Sequence, residues 1–179
     1  QVLGYLPKKL ILLDQAESAL YDLDNELISK DFNPTWEIVI GDVTHKKRMN
    51  RVFEYYKPDL VFHASAYKHV PLMELNPAEA IRTNILGTKI IADLSNEFNI
   101  KKFVLISTDK AVNPTNVMGA SKRIAEIYCQ SIKNISSTKF ITTRFGNVLG
   151  SNGSVIPLFK KQLEKGGPLT VTDKNVTRY

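Results

Sequence analysis

Short apolar runs alternate along this chain with segments whose apolar residues recur every three or four positions. A short run bounded by turn residues is typical of a strand in a parallel sheet, whereas the longer periodic segments are typical of amphipathic helices. Five runs predict strands, at residues 9–14, 36–40, 60–63, 103–106 and 139–144. Strands separated by helices in this order predict an α/β fold with a doubly wound parallel sheet.

The helical patterns fill the intervals between these strands. They lie at residues 16–27, 44–56, 77–98 and 118–132, and Thr44 is the predicted N-cap of the second. The run 103–106 is continuous, so we expect that strand to be buried on both faces of the sheet. Beyond it, GNVLGSNGS reads as a glycine- and serine-rich loop before an apolar stretch at 155–159.

The two ends of the chain differ from a whole dinucleotide-binding unit. Such a unit opens with a strand and G-x-G-x-x-G, which none of the nine glycines forms. We therefore expect residues 1–179 to be a partial Rossmann-like domain, truncated at both ends, with 145–179 starting the substrate-binding region. In the usual strand order the absent first strand would lie between the strands that end at Asp14 and near Ala64. Either those two strands pair directly, or another chain fills the slot, or residues outside this sequence supply the strand.

Composition and charge exclude several classes of protein. The net charge of +6 comes from basic residues spread in pairs, with no dense run, so we expect no nucleic acid partner. Phosphorylated small molecules suit such a surface better. No apolar run approaches the roughly 18 residues of a membrane span, so we expect no direct membrane insertion by this chain. Cys129 lies in a helical pattern as a small core residue, and three scattered histidines predict no metal site.

Polar residues follow the predicted strands at the edge of the sheet where ligands bind in doubly wound folds. They are Asp14, Asp42, the 64–66 segment, the 107–110 segment and the 144–147 segment.

Six stretches carry a resemblance to a known family and cover nearly the whole chain in order. They are LILLDQAES, GDVTHKKRM, VFHASAYKHVPLME, NPAEAIRTNILGT, STDKAVNPTNVMGASK and TTRFGNVLGSNGSVIPLF. The chain resembles the nucleotide-sugar 4,6-dehydratases of the extended short-chain dehydrogenase/reductase superfamily, in the branch that acts on UDP-N-acetylglucosamine for surface polysaccharide and glycan synthesis. The resemblance implies a lyase that uses NAD, a UDP-sugar substrate, a homo-oligomer, and a cytoplasmic location with the parent protein anchored in the inner membrane.

The resemblance also implies catalytic roles around the strand 103–106 and the next helix. Thr108 and Lys122 match the superfamily's Ser/Thr and Lys beside the nicotinamide, and Met118 stands where its tyrosine is expected. A thioether cannot transfer a proton, so we expect Met118 to pack. The larger, membrane-anchored members of the branch are similar in this exchange, which favours an active enzyme.

Elimination needs a base and an acid, and the resemblance assigns Lys110 as the base at C5 and Asp109 as the acid at C6. We expect the charge of Lys122 and of the nicotinamide to favour a neutral Lys110, and a desolvated position to favour a protonated Asp109. The alternative is that Asp109 and Lys110 form only a solvated exit from the strand.

The remaining roles implied by resemblance are binding roles. Cofactor contacts are expected at Asp14, Asp42, Val43, Ala64, Ser65, Ala66 and Lys122, and substrate contacts at Lys68, His69, Arg144, Asn147 and Ser154. Asp14 is also a candidate helix N-cap, Asp42 a candidate helix start and His69 an ordinary surface residue. Asn84, inside a helical pattern, is expected to tie neighbouring strands together rather than to contact a ligand. Because Gln15, not an arginine, follows Asp14, we expect NAD rather than NADP.

Two other functions remain open. A UDP-sugar 4-epimerase needs no elimination acid, so the Asp109–Lys110 pair argues against it. A non-catalytic NAD-binding or scaffolding role is supported by Met118 and by the missing glycine loop.

Overall fold

The computed structural model describes residues 2–30, 35–146, 148 and 155–170. The chain divides into two units, Gln1–Arg144 and Phe145–Tyr179. The strands are β1 (Lys9–Asp14), β2 (Thr35–Ile40), β3 (Leu60–His63), β4 (Lys102–Thr108) and β5 (Lys139–Phe145). All five were predicted to within two residues at each end.

Seven α-helices lie among the described residues. They are α1 (Glu17–Ser29), α2 (Lys46–Tyr56), α3 (Val70–Leu75), α4 (Pro77–Ala80), α5 (Thr88–Glu97), α6 (Val117–Lys133) and α7 (Val155–Glu164). A π-helical segment, Ile81–Gly87, joins α4 to α5, and short 3₁₀ turns form at Val2–Tyr5 and Asp109–Ala111.

The strands of the first unit form two parallel ladders. β1 pairs with β2 in a register that sets Leu10 opposite Trp36, and β3 pairs with β4 with Leu60 opposite Lys102. β5 follows β4 in the second sheet. Within the described residues β1 and β3 belong to separate sheets, so the alternative that these two strands pair directly is wrong.

A layer of helices joins the two sheets. α2 contacts α5, and both contribute to one core with β4, β5 and α6. The rings of Phe103 and Phe140 lie 5.2 Å apart, which ties β4 to β5 inside this core. The buried members of the core are Val43, Met49, Phe53, Ile90, Ile91, Ala92, Leu94, Ile100, Phe103, Leu105, Cys129 and Phe140. The predicted core position of Cys129 is confirmed.

Burial on both faces was expected for β4 and is not found. Phe103 and Leu105 are fully buried, whereas the alternating residues Val104 and Ile106 are only partly covered. On β3, Leu60 and Phe62 remain 42% and 51% exposed. The reason is that α5 and α6 cover one face of this sheet, while α1 packs on β1 and β2.

Two helix boundaries differ from the prediction. α2 begins at Lys46 after His45, because the amide of Thr44 donates to Asp42 Oδ1 at 2.8 Å instead of Thr44 acting as the N-cap. The predicted helix 77–98 is preceded by α3, which the pattern missed, and Asn76 separates the two. The helices α3 and α4 both have a proline in the first turn, where an N–H has no partner within the helix, so its absence costs nothing.

The second unit contains α7, whose first residues are the apolar stretch noted in the sequence. Its Gln162 amide donates to Thr170 Oγ1 at 2.7 Å and accepts from the Thr170 amide at 3.1 Å.

Candidate active site

The end of β4 carries a compact hydrogen-bonded group. Thr108 is the last residue of the strand, and the 3₁₀ turn Asp109–Ala111 follows at once. Thr108 Oγ1 donates to Asp109 Oδ1 at 2.8 Å and accepts from the Lys110 amide at 3.3 Å. Lys110 Nζ lies 3.1 Å from the same Asp109 oxygen. The three side chains therefore meet at one carboxylate at the ligand edge of the sheet.

Asp109 is ionised in this arrangement, contrary to the expectation of a protonated acid. Burial alone would raise the pKa of Asp109, but the hydrogen bonds from Thr108 and Lys110 outweigh it and hold that pKa below the usual range. The Asp109 side chain is also more than half exposed. To act as an acid, Asp109 must first receive a proton.

Lys122 lies beside β4 on α6 and is only 4% exposed. Its ammonium donates to the carbonyl of Ile106 at 2.7 Å. Burial lowers the pKa of Lys122 to about 8, against the opposing fields of Cys129 and Glu126. A buried cation next to the strand end, with a lowered pKa, is typical of a functional site.

Met118 packs as expected. It is buried with Met73 and Ala80, and Val70 and Val117 contact this small cluster. The position where the superfamily has its tyrosine is therefore filled by an apolar side chain that has no proton to give.

Gly119, which sequence reasoning did not single out, brings α6 against the turn Asp109–Ala111. The amide of Gly119 donates to the N-cap Asn116 Oδ1 at 2.8 Å. A Cβ on Gly119 would lie 2.3 Å from the carbonyl oxygen of Lys110. Asn116 before an apolar helix was the signal available in the sequence, but the close approach to Lys110 is a tertiary contact that no local pattern shows.

Asn84 has a structural role, but it ties the segment after β3 to α6 and not two strands to each other as expected. Its Oδ1 accepts from the Tyr67 amide at 2.8 Å, and its Nδ2 donates to the Tyr67 carbonyl at 3.1 Å and to Ser121 Oγ at 2.9 Å. Asn84 is fully buried in the π-helical segment.

His63 is a buried group that the sequence did not single out. Its Nε2 lies 2.9 Å from Thr88 Oγ1. Burial, with a smaller contribution from Lys122, lowers the pKa of His63 to about 3. The imidazole is therefore neutral and helps to hold β3 against α5.

The expected cofactor residues lie at or just after strand ends. Asp14 Oδ1 accepts from the Ala16 amide at 2.9 Å, a local turn before α1, whose N-cap is Ala16. Asp42 Oδ2 lies 3.6 Å from Arg82. Val43 is buried in the core, so only its backbone is open to a ligand. Ala64 is exposed, and Ser65 and Ala66 are half-buried, in the segment after β3.

The expected substrate residues have different surroundings. Lys68 and His69 are exposed in the segment before α3. Arg144 is engaged by the protein itself: its Nε and Nη2 donate to the two carboxylate oxygens of Glu126 at 2.8 and 2.5 Å. Asn147 and Ser154 lie outside the described residues.

Across residues 2–30, 35–146, 148 and 155–170, no group of acidic, histidine or cysteine side chains could hold a metal ion. No helix there is long and apolar enough to cross a membrane.

The parallel strands, the group at the end of β4 and the buried lysine of α6 define a Rossmann-like fold of the extended short-chain dehydrogenase/reductase type. The family model described as "Polysaccharide biosynthesis protein" matches residues 1–179. The chain belongs to this family.

Similar proteins agree with that assignment. The chain is 56% identical over 182 residues to "Capsular polysaccharide biosynthesis protein CapD" of Staphylococcus aureus, covering 100% of this chain and 30% of that protein. It is 39% identical over 181 residues to "UDP-N-acetylglucosamine 4,6-dehydratase (inverting)" of Campylobacter jejuni serotype O:2, covering 98% of this chain and 52% of that one. The crystal structure of Pen from Bacillus thuringiensis superposes with a TM-score of 0.88 at 39% identity, over 96% of this chain and 54% of that chain.

The chain thus spans between about a third and about half of the length of the proteins it matches.

Proposed function

We propose that the natural full-length protein dehydrates UDP-N-acetylglucosamine to its 4-keto-6-deoxy derivative for surface polysaccharide or glycan synthesis. The observation that carries this proposal is the Thr108, Asp109 and Lys110 group at the ligand edge of β4. Oxidation at C4 alone would not need a carboxylate and an amine together, whereas elimination between C5 and C6 needs an acid and a base. The named dehydratase relative supports the same chemistry.

The residues present fit the adenosine end and the nicotinamide end of NAD. The Asp14 carboxylate ends β1, where an acidic residue accepts hydrogen bonds from the adenosine ribose, and the Lys122 ammonium lies beside the end of β4. NAD, when bound, supplies a hydride acceptor and donor for the sugar. The chain has no G-x-G-x-x-G loop to hold the pyrophosphate, so the chain alone is proposed to be inactive.

Proton transfer by these side chains can be balanced within one turnover. The C4 hydroxyl loses its proton through Thr108 to the Asp109 carboxylate, which is ionised and accepts the Thr108 hydrogen bond. Protonated Asp109 then gives that proton to the C6 hydroxyl, which leaves as water. The Lys110 ammonium must first release a proton to solvent; as a neutral amine, Lys110 then removes the C5 proton and returns it when C6 has become a methyl group. This path accounts for the loss of the tyrosine at Met118.

The rival functions predict different products. A 4-epimerase would return the sugar with its C6 hydroxyl intact, and a non-catalytic scaffold would leave the substrate unchanged. Incubating the full-length protein with UDP-N-acetylglucosamine and measuring product mass separates the three, because only dehydration loses one water.

The Lys110→Ala variant tests the assignment of the base. It should reduce dehydration by roughly 10²–10⁴-fold, the contribution of a positioned base, while hydride exchange at C4 is partly retained. The exposed Lys133 at the end of α6 offers a matched control, Lys133→Ala, which should keep full activity. If solvent deuterium still entered C5 at the normal rate in Lys110→Ala, Lys110 would not be the base.

The resemblance supports two further parts of the proposal. We place the chain on the cytoplasmic side, in a protein anchored in the inner membrane and assembled as a homo-oligomer.

A further inference from the structure

A fully buried carboxylate joins α6 to β5 beside the proposed active site. Glu126 is 0% exposed and accepts hydrogen bonds from Arg144 Nε at 2.8 Å and Arg144 Nη2 at 2.5 Å. Arg123 Nη1 adds a third at 3.1 Å. The paired contact from Arg144 is the fork geometry that fixes both distance and orientation.

Glu126 stays charged although it is buried. Burial would raise the pKa of Glu126, but hydrogen bonds from Arg144 and Arg123 hold it down at about 2. A buried ion pair is often no more stabilising than apolar side chains of similar volume, so stability alone does not explain why one is kept here.

The location of the pair suggests what it does. Met118, Lys122 and Glu126 follow one another at four-residue steps on the buried face of α6. Lys122 holds α6 to β4 through the Ile106 carbonyl, and Glu126, one turn further, holds α6 to β5 through Arg144. Thr143 Oγ1 also donates to the Leu105 carbonyl at 3.3 Å, which links β5 to β4.

We propose that Glu126 and Arg144 form a positioning pair that fixes the rotation and height of α6 over β4 and β5, so that Lys122 stays aligned with the Thr108 to Lys110 group. Arg144 acts through Glu126 and not on the substrate diphosphate. The inference rests on the proposed dehydratase function for its kinetic consequences, but its geometric claim stands apart from it.

Three variants of the full-length protein test the pair: Glu126→Met, Arg144→Met and the double variant. Methionine fills much of the same space with an apolar side chain and removes the charge. Each single variant should lower kcat by about 10-fold or more, since a full ångström of misplacement costs about 10²-fold, with KM for the UDP-sugar unchanged. The double variant should be no slower than the slower single variant, since the buried Glu126 carboxylate is then not left without Arg144.

Cys129 supplies a measurement that does not depend on activity. It lies three residues after Glu126 on α6 and is 2% exposed. We expect both single variants to show faster thiol labelling at Cys129, located by peptide mass spectrometry under native conditions, and the double variant to be partly restored. Should a single variant fail to fold, Arg144→Lys, which keeps the charge but loses the fork, is measured in its place with the same expectation.

Two results would overturn the inference. The first is that Arg144→Met raises KM for the UDP-sugar, and raises it equally whether residue 126 is Glu or Met. Arg144 would then be a substrate ligand. Unchanged kcat and unchanged Cys129 labelling, with only a lower unfolding midpoint, would make the pair merely structural. If the unsubstituted protein does not dehydrate UDP-N-acetylglucosamine, the proposed function fails, and the labelling still decides the positioning role.

Discussion

Replacing Gly119 by alanine tests how closely α6 must approach the turn Asp109–Ala111. The added Cβ would lie 2.3 Å from the carbonyl oxygen of Lys110, more than 1 Å short of the 3.4 Å at which ordinary contact begins. The same atom would lie 3.1 Å from the Lys110 carbonyl carbon and 3.3 Å from Asn116 Oδ1. Two of the three neighbours are backbone, so a side-chain rotation cannot relieve the clash.

The displacement should therefore move the turn, the helix, or both. Overpacking of this kind costs about 1–3 kcal/mol of folding free energy. Because Asp109 and Lys110 lie in the displaced turn, the larger effect should be kinetic, and a shift of about 1 Å predicts a loss in kcat on the order of 10²-fold. KM should change less, since the expected substrate contacts lie on other segments.

The assay is steady-state dehydration by the full-length protein, with thermal unfolding measured on the same samples. Gly4→Ala is the matched control, because a Cβ at Gly4 meets nothing within 4 Å. A Gly119→Ala protein with kcat within about two-fold of the unsubstituted protein and an unchanged unfolding midpoint would refute the close-approach argument, since a rearrangement of about 1 Å at reacting groups cannot be kinetically silent.

Three further predictions follow from single sites. The full-length protein should bind NAD more tightly than NADP, because the Asp14 carboxylate would repel a 2′-phosphate and Gln15 offers no positive charge; tighter binding of NADP in calorimetry would contradict this. The pKa of His63 is about 3 in the folded protein and 6.5 when the side chain is exposed. As pH falls below 6.5, the unfolded state therefore binds a proton that the folded state does not. The free energy of unfolding should then drop by about 2 kcal/mol between pH 6.5 and 5. In urea titrations the His63→Asn variant should lack this drop. If the free energy of unfolding fell equally with pH in both proteins, the buried-histidine argument would be wrong. Asn84→Leu should destabilise the fold by roughly 1–3 kcal/mol, because it removes the partner of the part-buried Tyr67 backbone groups and one of the two bonds of the buried Ser121 hydroxyl; a change under about 1 kcal/mol in urea unfolding would show that water replaces these bonds.

The strands were predictable because their signal is local. β1 and β3 have the predicted bounds, since each is a short apolar run that ends in a polar residue. The turn after β4 was predictable for the same reason, because Thr108, Asp109 and Lys110 adjoin in the chain.

Contacts between distant parts of the chain were not predictable from these patterns. Glu126 and Arg144 are 18 residues apart and His63 and Thr88 are 25 apart, so their pairing depends on how α5 and α6 pack on the sheet. The charge of Asp109 was expected wrongly for a related reason: a hydrogen-bond donor from Thr108 and an ammonium from Lys110 outweigh burial only in the folded geometry. One-sided burial of β4 likewise depends on which helices cover the sheet.

The most direct test of the dehydratase proposal is the fate of the hydrogen at C4 of the sugar. The full-length protein would be incubated with UDP-N-acetylglucosamine that carries deuterium at C4, and the product analysed by NMR and mass spectrometry. We predict a 4-keto-6-deoxy sugar that has lost one water and carries the deuterium in its C6 methyl group. A C4 epimer that retains deuterium at C4 and its C6 hydroxyl, or unchanged substrate in the presence of bound NAD, would contradict the proposed function.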